Sequence, residues 1–328
     1  MTTSGRDGID HSRVLLALDV GGTKTIVAAF AGRSDEGFRP LRPPVRFATP
    51  RDPQAFLEAV DRAAEAALPW GVRPVAIGIG APGPLDPVSG VIEHATNLGW
   101  SDLPLASMIS TRFGNVPTRL SDDGNAGALG EAHAGAGRGA DPFVFLMLGT
   151  GLGSGIVVDG RIVAGAHGAA GEVGHLAVGD RNGPRCGCRR RNCVEAWCGG
   201  IGLARRARET WPARRLPDGT LAPRDATTVF ALARRGDPDA TRLVVAARHA
   251  LAIAVAAILS TLDPAAISIG GSIGTAQPSF VRAAVREGAS LVHWATSRRV
   301  DVRRSELGDV SVLTGAAVLA AEAAQSDR

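Results

Sequence analysis

Val14-Leu-Leu-Ala-Leu-Asp-Val-Gly-Gly-Thr-Lys-Thr-Ile-Val-Ala-Ala-Phe30 is an apolar run, a glycine turn and a second apolar run. Two β-like segments joined this way read as a hairpin. The expected strands are 14–19 and 25–30, with Gly21-Gly22-Thr23-Lys24 as the turn. The pattern returns at 143–158, where strands at 143–148 and 155–158 flank Gly149-Thr150-Gly151-Leu152-Gly153. Such repetition signals duplicated architecture. Two similar units facing each other would bring both turns to one ligand.

Apolar residues at helical spacing fill the intervals. Phe56, Leu57, Val60, Ala63, Ala64 and Ala67 predict a helix over 53–68; further helices are expected at 103–113, 125–134 and 237–262. Short strands are expected at 75–79, 118–120 and 267–269, with 80–84 as a loop. The last twenty residues read as an Ala-rich helix preceded by Gly315, and 205–225 as a surface connection. Strands alternating with helices predict an α/β class.

Composition narrows the function. The chain has 328 residues, 45% apolar and 21% charged, enough for a globular core. Aromatic residues are scarce and tyrosine is absent, so the core must be built from Ala, Val, Leu and Ile. The net charge of +4 comes mostly from arginines at 185–191, 205–215 and 298–304, which read as solvated loops and helix faces. No aromatic–basic interleaving is present, so nucleic acid is not an expected partner. Residues 1–13 read as a disordered tail without a secretory signal. The apolar stretch 243–262 is interrupted by Arg248 and His249 and reads as a buried helix, not a membrane span. A soluble, cytoplasmic protein with reduced thiols is expected.

His175, Cys186, Cys188 and Cys193 supply four ligands, the number a closed tetrahedral zinc site needs. Cysteines also serve as small buried hydrophobes or disulfides. Arg185, Arg189, Arg190, Arg191 and Asn192 between them speak against an apolar setting. With no open coordination position the zinc would be structural. Glu172 and Glu195 flank this cluster in sequence.

Glycine turns expose backbone N–H groups and admit a phosphate where a Cβ would obstruct it. Neither turn is a Walker A, and the second has Gly-x-Gly-x-Gly rather than a dinucleotide fingerprint. Each alone is only a hairpin; together with Gly270-Gly271 after a strand they point to a nucleotide. Asp122 and Asp123 stand at a strand end before a helix. A carboxylate there can take a proton from an attacking hydroxyl, or cap the helix.

Together these residues resemble the ROK family of sugar kinases and repressors, within the actin-like ATPase superfamily, from about residue 14 to the C-terminal helix. The resemblance implies two actin-like (ribonuclease H-like) α/β domains with a cleft between them. The first would be 14–118 completed by helix 312–328, the second 119–311 with the zinc loop. It implies nucleotide contacts at Asp19, Gly21, Gly22, Thr23, Lys24, Gly149, Thr150, Gly151, Gly153, Gly270 and Gly271. Asp123 carries over as the catalytic base. Gly83, Asn97, Asp122, Glu172, His175 and Glu195 would contact sugar, and His175 with Cys186, Cys188 and Cys193 would hold zinc. Implied besides are ATP and Mg2+, and a homodimer or homotetramer.

Two departures stand out. Asp122 replaces the family's usual Asn, placing a second carboxylate beside the base, and like charges raise a carboxyl pKa. Arg189 and Asn192 replace common glycines of the cysteine loop, so the loop must avoid positive φ at Arg189 or bear local strain. Thirteen residues before Val14 are too few for the repressors' DNA-binding domain, so a kinase is expected. The expected reaction is ATP-dependent phosphorylation of a hexose 6-hydroxyl. Glucose leads because of Asn97-Leu-Gly-Trp100, ahead of N-acetylmannosamine, N-acetylglucosamine and fructose. A non-catalytic sugar sensor is the alternative that the retained Asp123 opposes.

Overall fold

The structure, a computed structural model, describes residues 13–33, 37–179, 182–211, 225–293 and 301–326. All but Arg13 of the expected tail at 1–13, residues 212–224 of the Arg- and Pro-rich connection, and Arg298 and Arg299 lie outside the described residues. The early elements are β1 (Leu15–Val20), β2 (Lys24–Arg33), β3 (Gly37–Pro40), β4 (Val45–Ala48), α1 (Pro53–Ala67) and β5 (Ala76–Ala81). Then come β6 (Leu85–Asp86), β7 (Val91–Ala95), β8 (Trp100–Leu103), α2 (Leu105–Arg112), β9 (Thr118–Asp122) and α3 (Asp123–Ala134). The middle holds β10 (Phe143–Leu148), β11 (Leu152–Val158), β12 (Arg161–Ile162), α4 (Val194–Cys198), α5 (Gly200–Thr210), α6 (Ala226–Arg234) and α7 (Pro238–Leu262). The chain closes with β13 (Ala266–Gly270), α8 (Gly271–Ala276), α9 (Pro278–Ser290), β14 (Asp301–Arg304) and α10 (Ser311–Ser326).

Contacts divide the chain into two units. Among the described residues the first takes 13–139, 155–170 and 309–326, the second 140–154 and 171–308. The sequence expectation placed 119–139 in the second domain. They join the first because β9 pairs in parallel with β5, and because α3 packs on α10. Residues 155–170 join it too; the backbone of Gly155 lies against Asn125 and Ala128 of α3.

The first unit is built on a sheet of order β3-β2-β1-β5-β9, with β4 also on β2. The hairpin forms as expected, antiparallel from Leu15↔Phe30 to Val20↔Thr25. Strands β1 and β5 run parallel with nearly every residue buried, as a sheet covered on both faces requires. Helix α1 covers one face. Asp52 caps it by accepting from Ala55 N at 2.8 Å, Pro53 opens it, and Phe56, Leu57 and Val60 enter the core. Helix α10 covers the other, burying Leu313, Ala316 and Ala317 against Ala17, Ile26 and Ala28.

Gly315 does not precede α10; it lies inside it. A Cβ there would fall 1.7 Å from Ala126 O of α3, and one on Gly130 of α3 would fall 2.1 Å from Ser311 O. The two backbones touch where neither helix carries a side chain. In an ordinary helix interior Gly315→Ala adds about 1 kcal/mol of stability. Here the methyl must push the helices apart. We expect Gly315→Ala to destabilise the chain by about 1–3 kcal/mol. An unfolding midpoint equal to or above that of the parent would refute this close packing.

The second sheet has the order β12-β11-β10-β13-β14, with β10, β13 and β14 parallel. The turn 149–151 joins β10 to β11. The expected long helix is α7, capped by Asp237 and ended by Asp263 in the left-handed region. By length and composition α7 could cross a membrane, yet half of its most apolar window is buried in the protein, packed on α4, α6 and α9. A third, small antiparallel sheet, β6-β7-β8, occupies 85–103.

Candidate active site and metal centre

In the first unit the turn after β1 is pinned from both sides. Gly21 N donates to Lys24 O at 2.9 Å, and Thr49 Oγ1 donates to Gly21 O at 2.7 Å. A Cβ on Gly21 would lie 2.8 Å from Lys24 O, so the turn closes only with glycine. One on Gly22 would lie 3.0 Å from the Asn97 Cβ, so the structure brings Asn97 beside this turn. Trp100, three residues on, is instead a core residue: buried, edge-on to Phe56, with Nε1 donating to Arg51 O at 2.6 Å. Gly83 is exposed, just before the cis peptide to Pro84.

Thr23 and Lys24 are exposed at the tip, and Lys24 Nζ stands 4.0 Å from Asp309, which the sequence reading missed. Asp19 sits beneath. Burial pushes its carboxyl up to about 6; Asp309 adds to this, while Lys24 and Arg46 oppose it. The ordinary value is 3.8, so the folded state holds this proton more tightly than the unfolded chain. Above pH about 6 the native protein carries a buried charge; below about 3.8 the carboxyl is neutral in both states. We therefore expect Asp19→Asn to stabilise the fold at pH 8 by roughly 1–3 kcal/mol, with the gain gone at pH 3.5. Unfolding curves at the two pH values test this; equal gains at both, or none at pH 8, would exclude it.

The paired aspartates differ in position. Asp122 is the N-cap of α3, with Oδ1 accepting from Asn125 N at 2.8 Å and Oδ2 from the Asn125 amide. Burial raises its pKa, against the pull of those hydrogen bonds. Asp123 is the first residue of α3, at the carboxyl end of β9.

In the second unit the phosphate-like turn is threaded by backbone bonds. Gly149 N donates to Gly151 O at 3.0 Å, Gly200 N to Gly149 O at 2.9 Å, and Ile201 N to Thr150 O at 3.0 Å. Gly271 has a positive φ of 78° and lies against the Leu148 carbonyl, which sets α8 beside the turn. Gly153 lies within β11. A cavity of about 330 Å3 opens here, lined by Gly149, Thr150, Gly200, Phe230, Ser272 and Gln277 among others. Gly200, Phe230 and Gln277 had no motif to announce them.

Residues 171–175 rest on the same turn. A Cβ on Gly174 would lie 2.3 Å from Leu152 O, and Ser154 Oγ donates to Gly171 O. Glu195 reaches Leu152 from the other side, Oε2 accepting from Leu152 N at 3.1 Å. Its Oε1 lies 3.3 Å from Cys186 Sγ. One carboxylate thus bridges the cysteine loop and the glycine turn.

His175, Cys186, Cys188 and Cys193 come together, their ligand atoms all within 4.8 Å of one another. Cys186 Sγ is 3.7 Å from His175 Nδ1, and Cys188 and Cys193 sulfurs are 3.6 Å apart. Those separations fit edges of a tetrahedron with metal–sulfur bonds of about 2.3 Å, and exceed a disulfide's ~2.05 Å. All four cysteines are free; the fourth, Cys198, is buried outside the cluster. Burial, then the neighbouring thiols, push the Cys193 thiol up to about 12. The donors fit zinc. His175 presents Nδ1 to the thiols and Nε2 toward Glu172, 3.9 Å away. A carboxylate on the free ring nitrogen is the usual way to orient a ligating histidine.

The loop takes the strained path rather than avoiding it: Arg189 has φ 69° and Asn192 φ 68°. Asn192 is buried, its Oδ1 accepting from Trp197 Nε1 at 2.7 Å and its carbonyl from Val178 N at 2.7 Å. Cys186 N bonding to Arg190 O at 2.8 Å closes the turn that carries Arg189.

The ROK family model matches residues 15–323. The chain belongs to the ROK family. It is 35% identical to the glucokinase of Halalkalibacterium halodurans over 63% of this chain, a match spanning 64% of that relative's length. It is 36% identical to an N-acetylmannosamine kinase of Citrobacter koseri, covering 80% of this chain and 84% of that one. Among solved structures, a Streptomyces griseus ROK glucokinase in complex with glucose and AMPPNP matches with TM-score 0.77 and 29% identity. That match covers 94% of this ROK chain and 99% of the other.

Proposed function

We propose that this ROK chain is a hexose kinase that transfers a phosphoryl group from ATP to the 6-hydroxyl of glucose. The observation that carries the reading is the pair of glycine turns, each fixed by backbone hydrogen bonds, the first with no room for a Cβ on Gly21. Membership of the ROK family, with glucokinases among its relatives, supports it.

The turns at 21–24 and 149–153 offer backbone N–H groups to the nucleotide phosphates, with Lys24 adding a cation. The 330 Å3 cavity beside Gly149 and Ser272 would take the adenosine. Mg2+ bound with ATP supplies charge neutralisation in such transfers. Asn97, Glu172, His175 and Glu195 would bond the ring hydroxyls, with Gly83 lending backbone. As the sugar 6-oxygen bonds to the γ-phosphorus, the bond from that phosphorus to the β-bridging oxygen breaks and ADP leaves. The proton of the 6-hydroxyl passes to Asp123. Asp122, fully engaged as a cap, holds the start of α3 and so aims Asp123. Zinc on the four-residue cluster would fix the loop that carries His175 and leads into Glu195. A soluble enzyme of the cytoplasm follows from this chemistry, where ATP and reduced thiols are found.

The N-acetylmannosamine kinase relative makes acetamido sugars the rival substrates. Sites built to bond hydroxyls reject analogues lacking them by up to about 10⁴–10⁵. Initial rates of ADP release over glucose, N-acetylmannosamine, N-acetylglucosamine and fructose decide the matter. Glucose is expected to give the highest kcat/KM. A tenfold preference for an acetamido sugar would overturn the glucose assignment and leave the kinase; no ADP release with any sugar would leave only a sensor.

A further inference from the structure

The arginines of the cysteine loop and of α5 read in sequence as solvated charges. The structure collects four of them, Arg185, Arg191, Arg205 and Arg206, around one cavity of about 400 Å3 in the second unit. Trp197 and Glu209 also line it. Four guanidiniums against one carboxylate leave the lining strongly positive.

Arg206 is the buried member, 9% exposed. Its guanidinium stacks 4.4 Å over the Trp197 ring, and Nη1 donates to the Trp197 carbonyl at 3.2 Å. Arg205 donates to the Arg185 carbonyl, and Arg191 to the Gly183 carbonyl at 3.2 Å. These acceptors are neutral. Among the described residues no carboxylate lies within 4.0 Å of any of the four. Burial brings the Arg206 pKa down to about 10, with Glu209 and Cys198 opposing, so it stays charged at neutral pH. Glu209, the one carboxylate of the lining, supports the charge on Arg206 without pairing with it, and a buried cation held without a direct ion pair is unfavourable. A cavity that sets one buried guanidinium among more exposed ones, three of them oriented by backbone carbonyls, has the form of an anion receptor.

We propose that this cavity binds a phosphate group, free or carried on a small metabolite, through Arg191, Arg205 and Arg206. The planar fork of a guanidinium matches phosphate oxygens two at a time. The volume is that of a small-molecule site. Its wall is the loop bearing Cys186 and Cys188, and it lies apart from the turns at 149–153, whose cavity shares none of its lining residues.

Calorimetric titration of the zinc-loaded protein with inorganic phosphate, and separately with glucose 6-phosphate, tests this. The Arg191→Gln/Arg205→Gln variant is expected to lose at least tenfold in affinity for the tighter of the two, while Lys24→Gln, in the proposed nucleotide turn, keeps it. Equal affinity for both probes would mark free phosphate as sufficient; tenfold tighter binding of the ester would mark a phosphorylated metabolite. Circular dichroism checks that the variants fold, and exposed Arg191→Gln alone, expected to weaken binding at least threefold, serves if the double variant does not. No binding at millimolar concentration, unchanged affinity in the arginine variants, or loss in Lys24→Gln instead would overturn the site.

Discussion

Asp123→Asn is expected to lower the rate of phosphoryl transfer about 10²–10⁴-fold, the usual contribution of a general base. Asn is close in shape and leaves Asp122 to cap α3, so the helix start should not move. What disappears is the acceptor for the 6-hydroxyl proton. Sugar affinity, which rests on the ring contacts, is expected to change by no more than a few fold. Turnover by coupled ADP release and glucose binding by calorimetry separate the two effects. Near-normal turnover would remove Asp123 from the mechanism; loss of binding in parallel would make it a positioning group instead.

The second large effect concerns the metal. Elemental analysis is expected to find one zinc per chain, since the described residues hold one complete ligand set. Structural zinc binds with an apparent free energy of about 10–16 kcal/mol at neutral pH, and three donors hold it far less well than four. Cys188→Ser should therefore release the metal to a mild chelator and lower the thermal midpoint. It should also weaken sugar binding, because His175 and Glu195 depend on the same loop. Binding zinc displaces the thiol protons, so metal affinity should fall as pH drops. A thiol reagent gives an independent readout. In the loaded protein the cluster should be protected and become reactive on chelation. Absence of zinc together with thiols that react at once would show the cluster to be misread.

The sequence disclosed what local chemistry controls. The hairpin of β1 and β2 was legible because two apolar runs meet at a turn that only glycine can close. The cysteine cluster was legible because rare ligands sit close together. What stayed hidden depends on contacts distant in the chain. Strands β6 to β8 are short and interrupted by Pro87, Gly90 and Gly99, so no run of alternation announces them. Gly315 looked like a helix boundary, since nothing nearby tells that α3 will press on it. Which of the two aspartates caps α3 could not be read from spacing; Asn125, bonding twice to Asp122, decides that. Arg189 likewise offered two courses, and the bond that closes its turn selected the left-handed one.

Helix α10 carries a consequence for how the protein is made. It covers Ala17, Ile26 and Ala28, on β1 and β2, which are translated long before it. About 190 residues separate the end of β9 from the start of α10. At roughly 5–20 residues per second, some 10–40 seconds pass before the covering helix is synthesised. During that interval the first sheet can pair its strands but has one apolar face open to water. The second unit, whose described segments are all translated before α10, can complete itself first. Of the two units, the one whose strands emerge first is thus the one that must wait longer for its core.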